Sequence, residues 1–129
     1  MALTGFNHLV IRVADLEEGT RTYRDRLGLT LDRTDQTDAL GVRQAFFNLP
    51  EGGFIEVVAP TDPKGAVARS LESRGEGIHT ISFAVDDLAA TCAAMKKAGA
   101  QLIGEGGPQV FVHPKSTHGV LLQLTARRT

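Results

Sequence analysis

The sequence predicts an α+β fold of two βαβββ modules that form a cleft between paired curved sheets. Three observations carry this expectation. First, HLVIRVADL from His8 to Leu16 returns as TISFAVDDL from Thr80 to Leu88, 72 residues later, with Val13 on Val85, Asp15 on Asp87 and Leu16 on Leu88. Second, each copy runs into an amphipathic helical segment and then three short apolar runs. Third, glycine, proline and polar turns separate those runs. Duplication brings equivalent strand positions to one cleft, which makes His8, Glu56, Thr80 and Gln123 the first candidates for function.

In chain order, Phe6 to Ala14 is β-branched and apolar and reads as a strand. Asp15 caps the following helix, with Glu18 completing a D-x-x-E capping box. Leu16, Tyr23 and Leu27 share its apolar face and Gly28 stops it. Strands follow at Leu29 to Arg33, Val42 to Leu49 and Phe54 to Ala59. Thr34 to Leu40 is expected as a polar loop, and Pro50 to Gly53 as a hairpin turn. Gly65 to Ser73 predicts a linking helix with Val67 and Leu71 on one face. Arg74 to Gly77 is a turn.

The second half repeats the plan. Ile78 to Val85 is a strand, and Asp87 caps a helix with the stripe Leu88, Cys92 and Met95, ended by Gly99. Gln101 to Ile103, Val110 to His113 and Val120 to Thr125 are strands, with a polar turn at Pro114 to Gly119. The glycine-rich loop Gly104 to Pro108 precedes no helix N-terminus at the spacing a phosphate loop needs. Module one therefore covers about residues 4–60, the linker 61–76 and module two 77–126, in one domain of 129 residues.

Composition is that of a water-soluble globular chain, 42% hydrophobic and 22% charged. A net charge of -1 leaves no electrostatic footprint for nucleic acid. The Arg127-Arg128 pair reads as a solvated tail. One cysteine, Cys92, precludes an internal disulfide and falls on an apolar stripe, so it reads as a buried thiol. No run approaches the ~20 apolar residues of a membrane span, and no signal peptide is evident. The expectation is a cytoplasmic protein without membrane or nucleic-acid partners.

A duplicated βαβββ unit with a histidine on its first strand resembles the vicinal oxygen chelate superfamily of glyoxalases, extradiol dioxygenases, resistance proteins and epimerases. The chain is most similar to the methylmalonyl-CoA epimerases. The resemblance rests on His8 with Asp15-Leu16, Gly41-Val42, Glu56 to Pro60, Arg74 to His79, Val85 to Asp87, and His113 to Ser116 leading to Gly119 to Leu121. It implies paired modules with a divalent metal (Co, Ni, Mn, Zn or Mg) between them, a substrate chelating through two oxygens, and an enolate formed as an oxyanion. It also implies an acyl-CoA or other small-molecule ligand and a homodimer, for which exposed sheet edges give a physical motive.

Carried over residue by residue, that pattern is half intact. The ligand positions fall on His8, Glu56, Thr80 and Gln123, where the family's third is the second histidine of a pair and its fourth a glutamate. The histidine pair reads His79-Thr80, and strand alternation sends the two to opposite faces; a bulge would exchange them and make His79 the ligand. A further epimerase glutamate falls on Gln44. The metal candidates are therefore His8, Glu56, Gln123 and His79, and the catalytic candidates Glu56, Gln123 and Gln44. Thr80 is a wall residue for substrate, and Lys115 and Ser116 are contacts for a coenzyme A thioester.

Glu56 stands out by chemistry alone. A carboxylate among Ile55, Val57 and Val58 is costly to bury unless it meets a cation or a hydrogen-bond donor. Three functions follow. The first is an epimerase-like isomerase, or a lyase of the glyoxalase type, moving a proton beside the carbonyl of a small acyl thioester or 2-oxo compound. The second is a metal-free binding or resistance protein with a pocket drawn from Phe46, Phe54, Thr80, Phe83 and Phe111. The third is a metal-free acid/base enzyme using Glu56 with its pKa raised by burial.

Overall fold

The computed structural model describes residues 3–126; the Arg127-Arg128 tail lies outside the described residues. The chain is α+β, with eight strands and three α-helices among those residues. The strands are β1 (Gly5–Arg12), β2 (Leu31–Thr37), β3 (Val42–Asn48), β4 (Phe54–Pro60), β5 (Gly77–Val85), β6 (Leu102–Ile103), β7 (Val110–Val112) and β8 (Leu122–Ala126). The helices are α1 (Leu16–Arg21), α2 (Ala66–Arg74) and α3 (Leu88–Lys97). By contact density, residues 9–79 form one compact unit and residues 3–8 with 80–126 another.

In the unit of residues 9–79, β2, β3 and β4 pair antiparallel in that order. One strand face meets α1 through Ala45, Phe47, Val57 and Ala59, packed against Val13 and Leu16. Phe47 and Val57 are fully buried, each contributing about 1.5–3 kcal/mol by leaving water. The opposite face meets α2, where Val67 and Leu71 pack on Val10, Val42 and Val58. Glu56 alternates with Val57 and therefore shares the second face.

In the other unit, β5 pairs parallel with β8, β8 antiparallel with β7, and β7 with β6. α3 packs Cys92, Leu88 and Met95 onto Val85, Val110, Val112 and Leu124. Both capping aspartates act as expected: Asp15 accepts from the Glu18 amide and Asp87 from the Ala90 amide. Cys92 is buried and unbonded to another cysteine.

Several boundaries differ from the sequence expectation. The largest correction is at β2, which extends to Thr37 where a loop was expected and leaves only a 3-10 turn at Asp38–Leu40. Backbone pairing from Thr34↔Ala45 to Thr37↔Val42 holds a strand whose polar side chains need no burial. The first helix is α-helical only to Arg21 and continues as a π-turn, Thr22–Arg26, closed by the Leu27 amide on the Thr22 carbonyl. β1 stops at Arg12 because the Ala14 amide donates to the Glu76 carboxylate rather than to a strand. β7 stops at Val112 because His113 turns away to cap the 3-10 turn Pro114–Ser116.

Candidate active site

Glu56 is held from the side. Gln44 Nε2 donates to Glu56 Oε2 at 2.9 Å, and Thr37 Oγ1 donates to Gln44 Oε1 at 2.7 Å. The order fixes the amide: with its oxygen taken by the hydroxyl, its NH₂ must turn to the carboxylate. Burial raises the Glu56 pKa, while the Gln44 hydrogen bond and the positive charge of Arg33 pull it back. The same face carries Phe46 and Phe54, ring centroids 5.9 Å apart, with the Arg33 guanidinium 3.8 Å over the Phe46 ring.

In the unit of residues 3–8 and 80–126, alternation along β5 gives Thr80, Ser82 and Ala84 one buried face, while His79, Ile81 and Phe83 take the other. Ser82 lies beside Gln123 on β8, and Gln123 faces Phe111 on β7. Ser82 Oγ and Thr125 Oγ1 share a hydrogen bond. Phe83 lies beside Leu124 instead, on the α3 side, and so leaves the set of residues sharing a face with Thr80. His8 is buried, with Nδ1 2.6 Å from Asn7 Oδ1. The amide oxygen only accepts, so Nδ1 carries the proton and Nε2 is the accepting nitrogen. Burial pushes the His8 pKa down to about 4, which keeps the ring neutral.

His79 is half-buried, and its Nδ1 has no hydrogen-bond partner among the described residues. Burial, then Arg12 and Arg74, lower its pKa. Arg12 is buried and donates to the carbonyls of Gly75 and Ile78, tying β1 to the turn after α2. Lys115 and Ser116 are exposed on the 3-10 turn; the Lys115 amide donates to the His113 imidazole and Ser116 Oγ accepts from the Gln101 amide.

The donor chemistry does not fit a tightly held divalent transition metal. The positions that the resemblance assigned to ligands offer one imidazole (His8), one carboxylate already accepting from Gln44 (Glu56), one hydroxyl (Thr80) and one amide (Gln123). His79 faces away from Thr80 on β5. Tight sites use three or more strong ligands, and no group of three or more His, Cys, Asp or Glu able to hold a metal ion occurs among the described residues.

The match to known proteins decides the lineage. Residues 7–115 fit the Glyoxalase/Bleomycin resistance protein/Dioxygenase superfamily model. The chain belongs to that superfamily. Within it, the chain is 34% identical over 127 residues to the ethylmalonyl-CoA/methylmalonyl-CoA epimerase of Cereibacter sphaeroides, covering 92% of this chain and 94% of that one. It is 30% identical to the lactoylglutathione lyase of Haemophilus influenzae over 78% of this chain and 73% of that one. The methylmalonyl-CoA epimerase of Mycobacterium tuberculosis superposes with a TM-score of 0.87 at 32% identity, over 98% of this chain and 90% of that one. A methylmalonyl-CoA epimerase solved with methylmalonyl-CoA and NH4+ superposes at 0.85 and 30% identity, over 99% and 97%.

Sequence reasoning missed two residues beside Glu56 in this candidate site. Thr37 falls in a stretch expected as a polar loop, and Arg33 at the end of an expected strand with no role assigned to it. Only strand register reveals either one.

Proposed function

We propose that this chain is an epimerase-type isomerase that moves the proton on the carbon beside the carbonyl of an acyl-coenzyme A thioester, with Glu56 as the proton-carrying group. One observation carries the reading: Glu56 is half-buried on an apolar strand and its carboxylate is held by Gln44, in a chain 34% identical to an acyl-CoA epimerase along nearly its whole length. Raising the pKa of a carboxylate makes it a stronger base toward a carbon acid. Gln44 donates to Oε2 and orients the carboxylate that takes the α-proton. Solvent water protonates the enolate on the opposite face to give the epimer, and Glu56 releases its proton to solvent.

Gln44 and Gln123 are neutral, so they serve this chemistry as hydrogen-bonding groups and not as proton carriers. Neutral His8 supports it as a hydrogen-bonding ring. Thr80, Lys115 and Ser116 are proposed as substrate contacts. The positions carried over as ion ligands, His8, Glu56 and Gln123, with His79 on the face of β5 opposite Thr80, supply too few strong donors for a tightly held ion, so no step depends on one. We also assign the protein to the cytoplasm as a homodimer; no helix among the described residues is long and apolar enough to cross a membrane.

The test is α-proton exchange of methylmalonyl-CoA in D₂O, followed by proton NMR. Wild type should exchange the α-proton, and Glu56→Gln, folded by circular dichroism, should not. Ligand binding by wild type without exchange would favour the binding-protein reading.

A further inference from the structure

This inference rests on the acyl-coenzyme A reading and adds a specificity residue to it. β2 carries a bulge at Asp32: Leu31 pairs with Phe47, yet Arg33, two residues on, pairs with Phe46. In a regular strand Leu31 and Arg33 would share a face. The extra residue turns Arg33 over. Leu31 packs on the α1 core, while Arg33 lands on the face of Glu56. Arg33, Phe46 and Glu56 then form one cross-strand row.

The Arg33 guanidinium lies over the Phe46 ring, 3.8 Å from its centroid. Stacking orients the planar group and leaves its five N–H donors available. Arg33 has no ion pair or side-chain hydrogen bond among the described residues. Arg12, on the same face in β1, has donors committed to the Gly75 and Ile78 carbonyls. Asp35, next on Arg33's face of β2, accepts from the Gln36 amide.

A thioester with a carboxylate on its α-carbon brings negative charge toward Glu56, itself a carboxylate. Like charges at close range oppose binding and ionisation alike. A fixed cation beside the base relieves that conflict and stabilises the charge that develops as the proton leaves. We propose that Arg33 is the specificity residue of this site and pairs with the carboxylate of the acyl group.

The test compares malonyl-CoA with acetyl-CoA by calorimetry, on wild type, Arg33→Met and Arg33→Lys. Both probes carry the same coenzyme A phosphates and differ in the acyl carboxylate. Arg33→Met should weaken malonyl-CoA by at least about tenfold, as loss of a hydrogen bond to a charged group does, and leave acetyl-CoA unchanged. Arg33→Lys should recover part of the loss. Equal weakening of both probes would mean that Arg33 holds the phosphates, and no weakening of either would mean that it holds nothing; both outcomes overturn the proposal. Wild type that prefers malonyl-CoA through Arg33 yet exchanges no α-proton would break the isomerase reading alone. Wild type that binds neither probe would overturn both.

Discussion

Glu56 is set between opposing forces. Burial pushes its pKa up, and Gln44 and Arg33 push it down. The side facing Gln44 is fixed by a residue that never touches the carboxylate: Thr37 holds the Gln44 oxygen and so keeps the NH₂ aimed at Glu56. Thr37→Val frees that amide to flip and present its oxygen to another oxygen. The expected result is a drop in kcat of about tenfold with KM little changed, consistent with the net worth of one hydrogen bond to a charged group. Thr37→Ser, which keeps the hydroxyl, should restore the rate. Steady-state kinetics of the three forms checks this.

His8 gives the residue scale a pH signature. Its pKa falls from 6.5 to about 4 on folding, through burial. Between those values the unfolded chain binds the extra proton and the folded one does not. Stability is therefore full above about pH 6.5 and declines as pH falls toward 4, by at most about 3 kcal/mol from this group. Burial also lowers His79, with the same sign. Glu56 acts oppositely, since its contribution is present at low pH and is lost as pH rises through its folded value. Urea unfolding of chelator-treated protein across this range should show a shallower acid decline for His8→Gln than for wild type.

At the scale of elements, the caps, cores and turns were legible in the sequence because each is a local code. Asp15 and Asp87 cap by a spacing that any helix start shows, and Val67 with Leu71 announces α2 by its period. β2 was not legible. Its residues are polar because they lie on an outer strand, and it is held by backbone bonds that carry no side-chain signature. The bulge at Asp32 was hidden for the same reason, and with it the placement of Arg33. A backbone constraint of this kind also operates at Gly104, where φ is +77° and a Cβ would stand 2.4 Å from the Gln109 carbonyl oxygen. Gly104→Ala should destabilise by between about 1 and 3 kcal/mol, read as a lowered urea midpoint with the denaturant slope unchanged.

At the scale of the whole molecule, the repeat of His8–Leu16 at Thr80–Leu88 foretold two βαβββ plans, and the α+β architecture and superfamily follow it. The candidate residues were legible through resemblance, while their pairing was not. Nothing in the order of residues 37, 44 and 56 states that they form one hydrogen-bonded chain, which needs β2 and β4 on either side of β3. The ligand positions that the resemblance implies hold one imidazole, His8, and one carboxylate, Glu56, beside Thr80 and Gln123. The proposed chemistry then falls to Glu56 and its supports.

Incubating methylmalonyl-CoA with the protein in D₂O and chelator, and following the α-proton by NMR, tests this most directly. The account predicts exchange by wild type that chelator does not abolish, and none by folded Glu56→Gln. Exchange that survives in Glu56→Gln, or that vanishes from wild type on chelation, would contradict it.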